Sequence, residues 1–428
     1  MAEALVAYTI IFGLLLALAT PGFFLGKWWL RALTRRRKAT QQQSPSRILQ
    51  VSVLTSSSLG TTLLGVVIIL YSLVSTAFRS AGPIRSGGHI EPPKRPGYDT
   101  VDVFFATDRA PTSDGSHYGT KRESNLHLGV CAVSIPAVHE IGTLERPRVW
   151  RFEFSADPNK HLTIQKVREE SESAFLAKLH SRLQGTTSGE LFVFVHGFNV
   201  SFDDAVMRTA QLAYDLNLDA VPVAYSWPSR ESESFFGYTR DAQSAEDTTF
   251  HLQAFLTTLA NESGATTVYL LAHSMGSRPV TAALKGIVLE NTVASPRERF
   301  KETILAAPDI DRDYFVEQIA PALARATKRV TVYASAKDHA LDFSKVPNGN
   351  RRLGDATGGV VVVPNVDTID ATAVDTSLLG HSYYGDEPAI LSDIASIFRL
   401  GLRPTLRFGM TAVPRDKPTY WVFQPRRH

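Results

Sequence analysis

One cysteine, Cys131, occurs in 428 residues. That excludes an intramolecular disulfide framework and any zinc centre built from several thiolates. It leaves the redox compartment open, because disulfide-free proteins occur on both sides of a membrane. Also missing are the His-Glu-x-x-His pattern, a calcium-loop pattern and a glycine-rich phosphate loop, so no metal and no nucleotide cofactor are expected. There is no internal repeat and no long low-complexity tract. Charged residues make up only 20% of the chain and hydrophobic ones 44%, so a sizeable core is available and wholesale disorder is excluded. The length suits one large domain or two to three ordinary ones.

The net charge of +3 conceals an asymmetry. Residues 1–97 hold eleven Lys and Arg against two Glu, a net +9, and the remainder stands at −6. An acidic body without a basic stripe argues against nucleic-acid binding. The basic residues flank two long uncharged segments, 4–26 and 48–78, the second with its apolar heart at 58–78. A helix of about 20 apolar residues crosses a hydrocarbon core, so two transmembrane helices, 4–26 and 58–78, are expected within residues 1–79. Pro21 falls near the end of the first, and Trp28 and Trp29 sit where an interfacial aromatic belt lies. A cleavable signal peptide would need positive charge before the apolar run, but Glu3 is the only charge there. The loop Lys27–Arg47 carries seven basic residues and no acid, which places it in the cytoplasm. Both ends then face outward. The chain is expected in a bacterial inner membrane, with its C-terminal body periplasmic.

Residues 80–97 are rich in Gly and Pro and read as a tether. Strand-like runs follow at Val101–Ala106, Leu128–Ile135 and Val149–Phe154. Later apolar bursts lie at Leu191–Val195, Val221–Trp227, Thr267–Ala272, Thr303–Ala307, Val330–Ala334 and Gly359–Val363. Helix-like segments separate them near 201–217, 241–262, 277–290, 311–323 and 385–399. Continuous apolar strands alternating with helices are the pattern of a buried parallel sheet covered on both faces. The domain is expected to span 98–400, leaving 401–428 as a C-terminal tail.

Two segments carry chemistry. In Thr267–Arg278 an apolar strand runs into Ala272-His273-Ser274-Met275-Gly276 and then a helical pattern. A nucleophile at a strand-to-helix turn needs small neighbours, and the turn leaves its hydroxyl exposed at the sheet edge near a helix N-terminus. In Leu191–Asn199 another strand ends in His196-Gly197-Phe198-Asn199. Acyl transfer develops an oxyanion that needs donors already in place. The backbone N–H groups of Phe198 and Met275 supply one from each loop. His196 precedes the nucleophile and lies in the oxyanion loop, so it reads as structural rather than as the base.

These motifs, in this order, resemble an α/β-hydrolase. The run from His196-Gly197-Phe198-Asn199 through Tyr225-Ser226-Trp227-Pro228-Ser229 to Ala272-His273-Ser274-Met275-Gly276 resembles a little-characterised bacterial esterase/lipase-like branch of that superfamily. The resemblance covers roughly residues 100–400 and includes Phe104-Phe105-Ala106-Thr107-Asp108-Arg109. It implies a triad in the order Ser, acid, His, with the acid after a late strand. Asp338 follows the strand at Val330–Ala334 and is taken as the acid, with Asp309, after the preceding strand, as its competitor. Two histidines follow, His339 and His381. His339 adjoins the proposed acid and cannot easily face both Asp338 and Ser274. His381, in a loop before the last helix, is taken as the base.

The expectation is therefore an α/β-hydrolase fold, with a mostly parallel sheet and helices on both faces, preceded by two transmembrane helices. The function expected is cleavage of a small-molecule or lipid-like carboxylic ester through an acyl-enzyme. An envelope assembly or interaction module with idle chemistry is the alternative from another class. Three smaller expectations complete the reading: Cys131 as a core side chain, Arg351-Arg352 as a solvated loop pair, and Ser229–Tyr238 as a segment lining a pocket or packing on the sheet edge.

Overall fold

Each central strand is apolar on both sides of its pleat, and the chain stacks these strands into one sheet. A computed structural model describes residues 97–113, 117–147, 153, 155–229, 235–337, 351–374, 387–414 and 419–424. The two apolar segments expected to span a membrane, 4–26 and 58–78, lie outside them. Among the described residues no helix is long and apolar enough to cross a membrane.

The strands are β1 (Tyr98–Pro111), β2 (Tyr118–Pro136), β3 (Thr163–Glu170), β4 (Glu190–Val195), β5 (Ala220–Ser226), β6 (Thr267–His273), β7 (Phe300–Ala306), β8 (Arg329–Ala334), β9 (Val366–Asp370), β10 (Met410–Val413) and β11 (Tyr420–Phe423). They form one sheet in the order β10-β11-β9-β8-β7-β6-β4-β5-β1-β2-β3. From β1 through β5, β4, β6, β7, β8 and β9 to β11 every pairing is parallel; β2, β3 and β10 are antiparallel additions at the two ends.

The larger helices are α1 (Glu172–Gln184), α2 (Phe202–Asp215), α3 (Phe235–Asp247), α4 (Thr249–Glu262), α5 (Ser277–Glu290), α6 (Ala320–Ala326) and α7 (Pro388–Leu400). Local chemistry fixes several ends. Ser201 caps α2 by accepting from the Asp204 amide at 3.0 Å, with Asp203 and Asp204 in the first turn. Pro388 opens α7 and Gly401, in the left-handed region, closes it.

Pleat alternation distributes the core. Leu191, Val193 and Val195 pack with α1, α4, α5 and α6 on one face. Phe192 and Phe194 pack with α7 and the end of α2 on the other. A third cluster, around Val103, Phe105 and Cys131, is closed by Phe202, Val206 and Ala210 of α2. Cys131 is fully buried there, as expected, and burial pushes its thiol pKa up.

Several expectations need correction. Residues 401–428 are not simply a tail, since they supply β10 and β11 to the sheet. Each is four residues long, too short for alternation to register in sequence. Gly359–Val363 is not a strand. Gly358 and Gly359 take φ of 70° and 109°, and Pro364 brings no amide to a ladder, so pairing begins only at Val366. β3 and α1 also fall outside the segments expected from sequence. Among residues 149–154 only Glu153 is described, and it lies in no strand.

The turn after β2 is tied to α2 by His139. Its Nδ1 lies 2.9 Å from Glu145 Oε2 and its Nε2 2.7 Å from Asp215 Oδ1, while the Gly142 amide donates to Asp215 Oδ2 at 2.7 Å. Burial alone would lower the imidazole pKa, but the hydrogen bonds to Asp215 and Glu145 outweigh it and raise it to about 9. A raised folded-state value means that this stabilisation is complete below the unfolded value near 6.5 and is lost as pH rises through about 9. The His139→Gln variant is therefore expected to be roughly 2–3 kcal/mol less stable at pH 6. That gap should close by pH 10 in urea titrations. A gap independent of pH would show that the imidazole is neutral.

Candidate active site

The parallel register places the site. Val195 pairs with Ala272, and His273 with Ala306, so the chain leaves β4, β6 and β7 side by side at their C-terminal ends. Ser274 follows β6 directly and opens a single 3-10 turn, Ser274–Gly276, that runs into α5. Its φ is +50°, in the left-handed region that a serine enters only at a cost of about 1–2 kcal/mol. The surrounding packing holds it there.

Two glycines show how closely. A Cβ on Gly276 would stand 2.2 Å from the His196 carbonyl oxygen and 2.8 Å from that of Val195. A Cβ on Gly197 would meet Ser274 Cβ at 2.9 Å and His273 Nδ1 at 2.8 Å. Gly276 has an ordinary helical φ of −62°, so space alone demands glycine there. Gly276→Ala is expected to destabilise the fold by about 1–3 kcal/mol and to pry the serine turn from the His196–Phe198 loop. Thermal denaturation together with the rate of serine labelling measures both effects. Wild-type behaviour in both would show that this contact has slack.

The residues expected to supply the oxyanion amides, Phe198 and Met275, each adjoin one of these two tightly packed glycines. Met275 N–H lies in the first turn of a helical segment, where no intrahelical acceptor is available. Phe198 lies in the loop after β4, and no hydrogen bond from its amide occurs among the described residues. The Met275 side chain is fully buried in the core, and Ser274 itself is only 3% exposed, less open than the expected position at the sheet edge. Asp309, beyond β7, donates its amide to the Ser274 carbonyl at 3.1 Å. Ser274, Met275, Phe198 and Asp309 are thus neighbours; Asp338, His339 and His381 lie outside the described residues.

Asp309 is 1% exposed and sits in an ionic knot. Arg278 Nη2 donates to its Oδ2 at 3.0 Å, and Arg352 Nε lies 3.2 Å from its Oδ1. Tyr238 Oη donates to Oδ2 at 2.5 Å and accepts from Arg278 Nη2 at 2.8 Å. Arg278 Nε also donates to the Asp309 carbonyl at 2.8 Å. Burial disfavours the Arg278 cation, yet Asp309 beside it raises the pKa and keeps it charged. Arg352 corrects the expectation of a solvated arginine pair, because it is only 4% exposed. The loop carrying it is clasped onto the end of β7: Gly354 N–H donates to the Pro308 carbonyl and Leu353 N–H to that of Ile310, both at 2.9 Å. In the 229–238 segment, Tyr238 packs edge-on against Phe198 at 5.7 Å, whereas Phe236 is exposed.

His196 is structural, as its position in the sequence suggested. Its ring stacks on Trp227 with centroids 4.9 Å apart, and Trp227 Nε1 donates to its carbonyl at 2.8 Å. Burial, and after it the charge of Arg109, lowers its pKa to about 3. The neutral ring donates from Nδ1 to the Gly197 carbonyl at 2.8 Å and presents Nε2 to Ser226 Oγ at 3.3 Å.

Arg109 is the positioning residue that sequence reading passed over. Fully buried, it donates to Val200 O at 2.7 Å, Ser226 Oγ at 2.9 Å, Gly119 O at 3.0 Å and Ser229 O at 3.2 Å. One guanidinium therefore ties the loop after β4 to the end of β5 and to the start of β2. Its place at the end of an apolar strand is visible in sequence; three of its four partners, Val200, Ser226 and Ser229, lie about 90 to 120 positions away and are not.

No group of three or more His, Cys, Asp or Glu that could hold a metal occurs among the described residues. No curated protein sequence matches the chain. Among solved structures it is similar to LpqC, a poly(3-hydroxybutyrate) depolymerase from Bordetella parapertussis: 15% identity, 65% of this chain and 88% of the other covered, TM-score 0.32. The esterase Pf2001 of Pyrococcus furiosus shares 12% identity over 75% of this chain and 99% of its own, with a TM-score of 0.31. A Trichoderma reesei cutinase, in complex with a phosphonate inhibitor, shares 14% over 50% and 87%, with a TM-score of 0.25. Such distant likenesses carry no inference about substrate. Residues 171–398, more than half of the chain, match the model of a family described as alpha/beta hydrolases of unknown function (DUF900), and the chain belongs to that family.

Proposed function

We propose that this protein is a membrane-anchored serine hydrolase that cleaves a carboxylic ester through an acyl-enzyme. The observation that carries the reading is Ser274 itself, held at positive φ between a strand and a helix and pressed against the His196–Phe198 loop. Such a turn costs stability, and a purely structural serine would gain nothing from it. In the proposed reaction Ser274 Oγ attacks the ester carbonyl while His381 takes its proton. Asp338 orients His381 and stabilises its cationic form, and the Phe198 and Met275 amides hold the oxyanion. The proton on His381 then passes to the departing alkoxide. Water, activated by the same imidazole, next releases the acid and restores Ser274. Asp309, already engaged by two arginines and a tyrosine, is assigned a positioning role.

The test is fluorophosphonate labelling of the full-length protein with peptide mapping. Stoichiometric modification of Ser274, lost in His381→Ala, is expected. Absence of labelling in folded protein would leave the domain as an interaction module of the envelope. Anchoring through 4–26 and 58–78 with a periplasmic domain is tested separately by a reporter fused after residue 97. Activity inside the cell rather than outside would reverse the orientation.

A further inference from the structure

The edge of the sheet opposite Ser274 carries a second feature. The N-terminal ends of β4 to β8 and the C-terminal end of α7 border a cavity of about 840 Å³. Five cations line it: Lys301, Lys328, Arg329, Arg399 and Arg403. The carboxylates there have partners of their own. Glu302 takes Arg329 Nε at 2.8 Å on each oxygen, Asp219 accepts from the amides of Thr187 and Ser188, and Glu190 accepts from Tyr269 Oη. The side chains of Lys301, Lys328, Arg399 and Arg403 make no hydrogen bond or ion pair with any other described residue; Arg403 acts only at longer range, on Asp367.

The chain leaving α7 adds apolar surface to this basic one. Leu400, which borders the cavity, is 68% exposed, and Leu406 and Phe408 just beyond are 70% and 66% exposed. Between them Arg407 is buried, with its Nη1 on Asp393; its Nε and Nη2 find no acceptor among the described residues. A cation at a helix C-terminus is favourable by itself, which accounts for Arg399 but not for Lys301, Lys328 or three exposed apolar side chains beside them.

We infer that this face docks on an anionic bilayer. Leu400, Leu406 and Phe408 enter the boundary between headgroups and acyl chains, and Lys301, Lys328, Arg399 and Arg403 receive the lipid phosphates. The charge complementarity and the adjoining apolar side chains are the two components that interfacial anchoring requires; a soluble anion would need only the first. Ser274 lies at the far edge of the sheet and would face water. If the proposed ester hydrolysis holds, this orientation selects a water-borne ester over a bilayer lipid.

Cys131 is the chain's only thiol and is fully buried, so an introduced cysteine can be labelled selectively. The experiment places an environment-sensitive fluorophore on Leu406→Cys in the full-length protein, reconstituted with phosphatidylglycerol or phosphatidylcholine bilayers. Phe236→Cys, 77% exposed beyond the C-terminal end of β5, is the control. A blue shift is expected at 406 in phosphatidylglycerol only, and none at 236. Combining Arg399→Glu with Arg403→Glu should lower the docked-to-undocked ratio by about 25-fold or more, about fivefold per cation lost. Equal emission in both lipids overturns the proposal, as does a shift that survives both reversals. Loss of the shift in millimolar inorganic phosphate at constant ionic strength would assign the cations to a free anion and overturn it too. None of these readouts depends on turnover, so failure here leaves the proposed chemistry at Ser274 untouched.

Discussion

Replacing Ser274 by alanine is expected to lower kcat for ester hydrolysis by at least about 10⁴-fold and to abolish fluorophosphonate labelling. The loss should be chemical and not structural. Ser274 is 3% exposed and bears its φ of +50° only because the loops around it enforce that geometry. Alanine keeps the strain, whereas glycine relieves it. Ser274→Gly should therefore be equally inactive yet melt at or above the temperature of Ser274→Ala, the relief of about 1–2 kcal/mol being partly offset by the greater freedom of glycine in the unfolded chain. Full ester turnover by Ser274→Ala, measured on enzyme purified from a host lacking other esterases, would remove Ser274 from the mechanism.

The second large effect separates two aspartates. Asp309 stands between Arg278 and Arg352, with Tyr238 on the same carboxylate oxygen as Arg278. Removing its charge in Asp309→Asn leaves the buried Arg352 and the half-buried Arg278 facing a neutral amide, a change expected to cost about 3–5 kcal/mol of stability. Asp338→Asn should do the reverse, leaving thermal stability near wild type while lowering kcat by about 10⁴-fold through loss of the correct imidazole tautomer. Denaturant titration and steady-state kinetics on both variants decide the assignment. A stable but inactive Asp309→Asn beside an active Asp338→Asn would transfer the acid role to Asp309.

The pH dependence of the fold follows from two histidines with opposite shifts. His196, lowered to about 3, is neutral in the folded protein but takes up a proton in the unfolded chain below about 6.5. Its contribution to stability is complete above that value and is lost as pH falls toward 3. His139 loses its contribution in the opposite direction, through about 9. From these two groups stability is greatest near pH 6.5. The His196 limb also explains why that residue makes a poor general base, since an imidazole that resists protonation to about pH 3 has little affinity for the proton of Ser274.

The features legible in the chain are local ones. The strand from Thr267, the small residues around Ser274 and the helix beyond are constraints that act within a dozen positions, and each leaves a periodicity or a glycine that can be read directly. The same holds for β4 and its His196-Gly197-Phe198 exit. Which charges are buried, and what they touch, depends on segments that meet only in the folded sheet. Arg351 and Arg352 are adjacent, polar and indistinguishable in sequence, yet Arg352 sits on Asp309 because the 351–356 loop is clasped to the end of β7. Arg109 closes an apolar strand and became the tie between three segments only once β1 lay beside β5. Even Gly276, recognisable as part of a motif, owes its identity to a carbonyl 80 positions earlier, at His196. Periodicity reports the side a residue faces. The counter-charge of a buried ion and the space left for a Cβ belong to strands that meet only when the sheet is assembled.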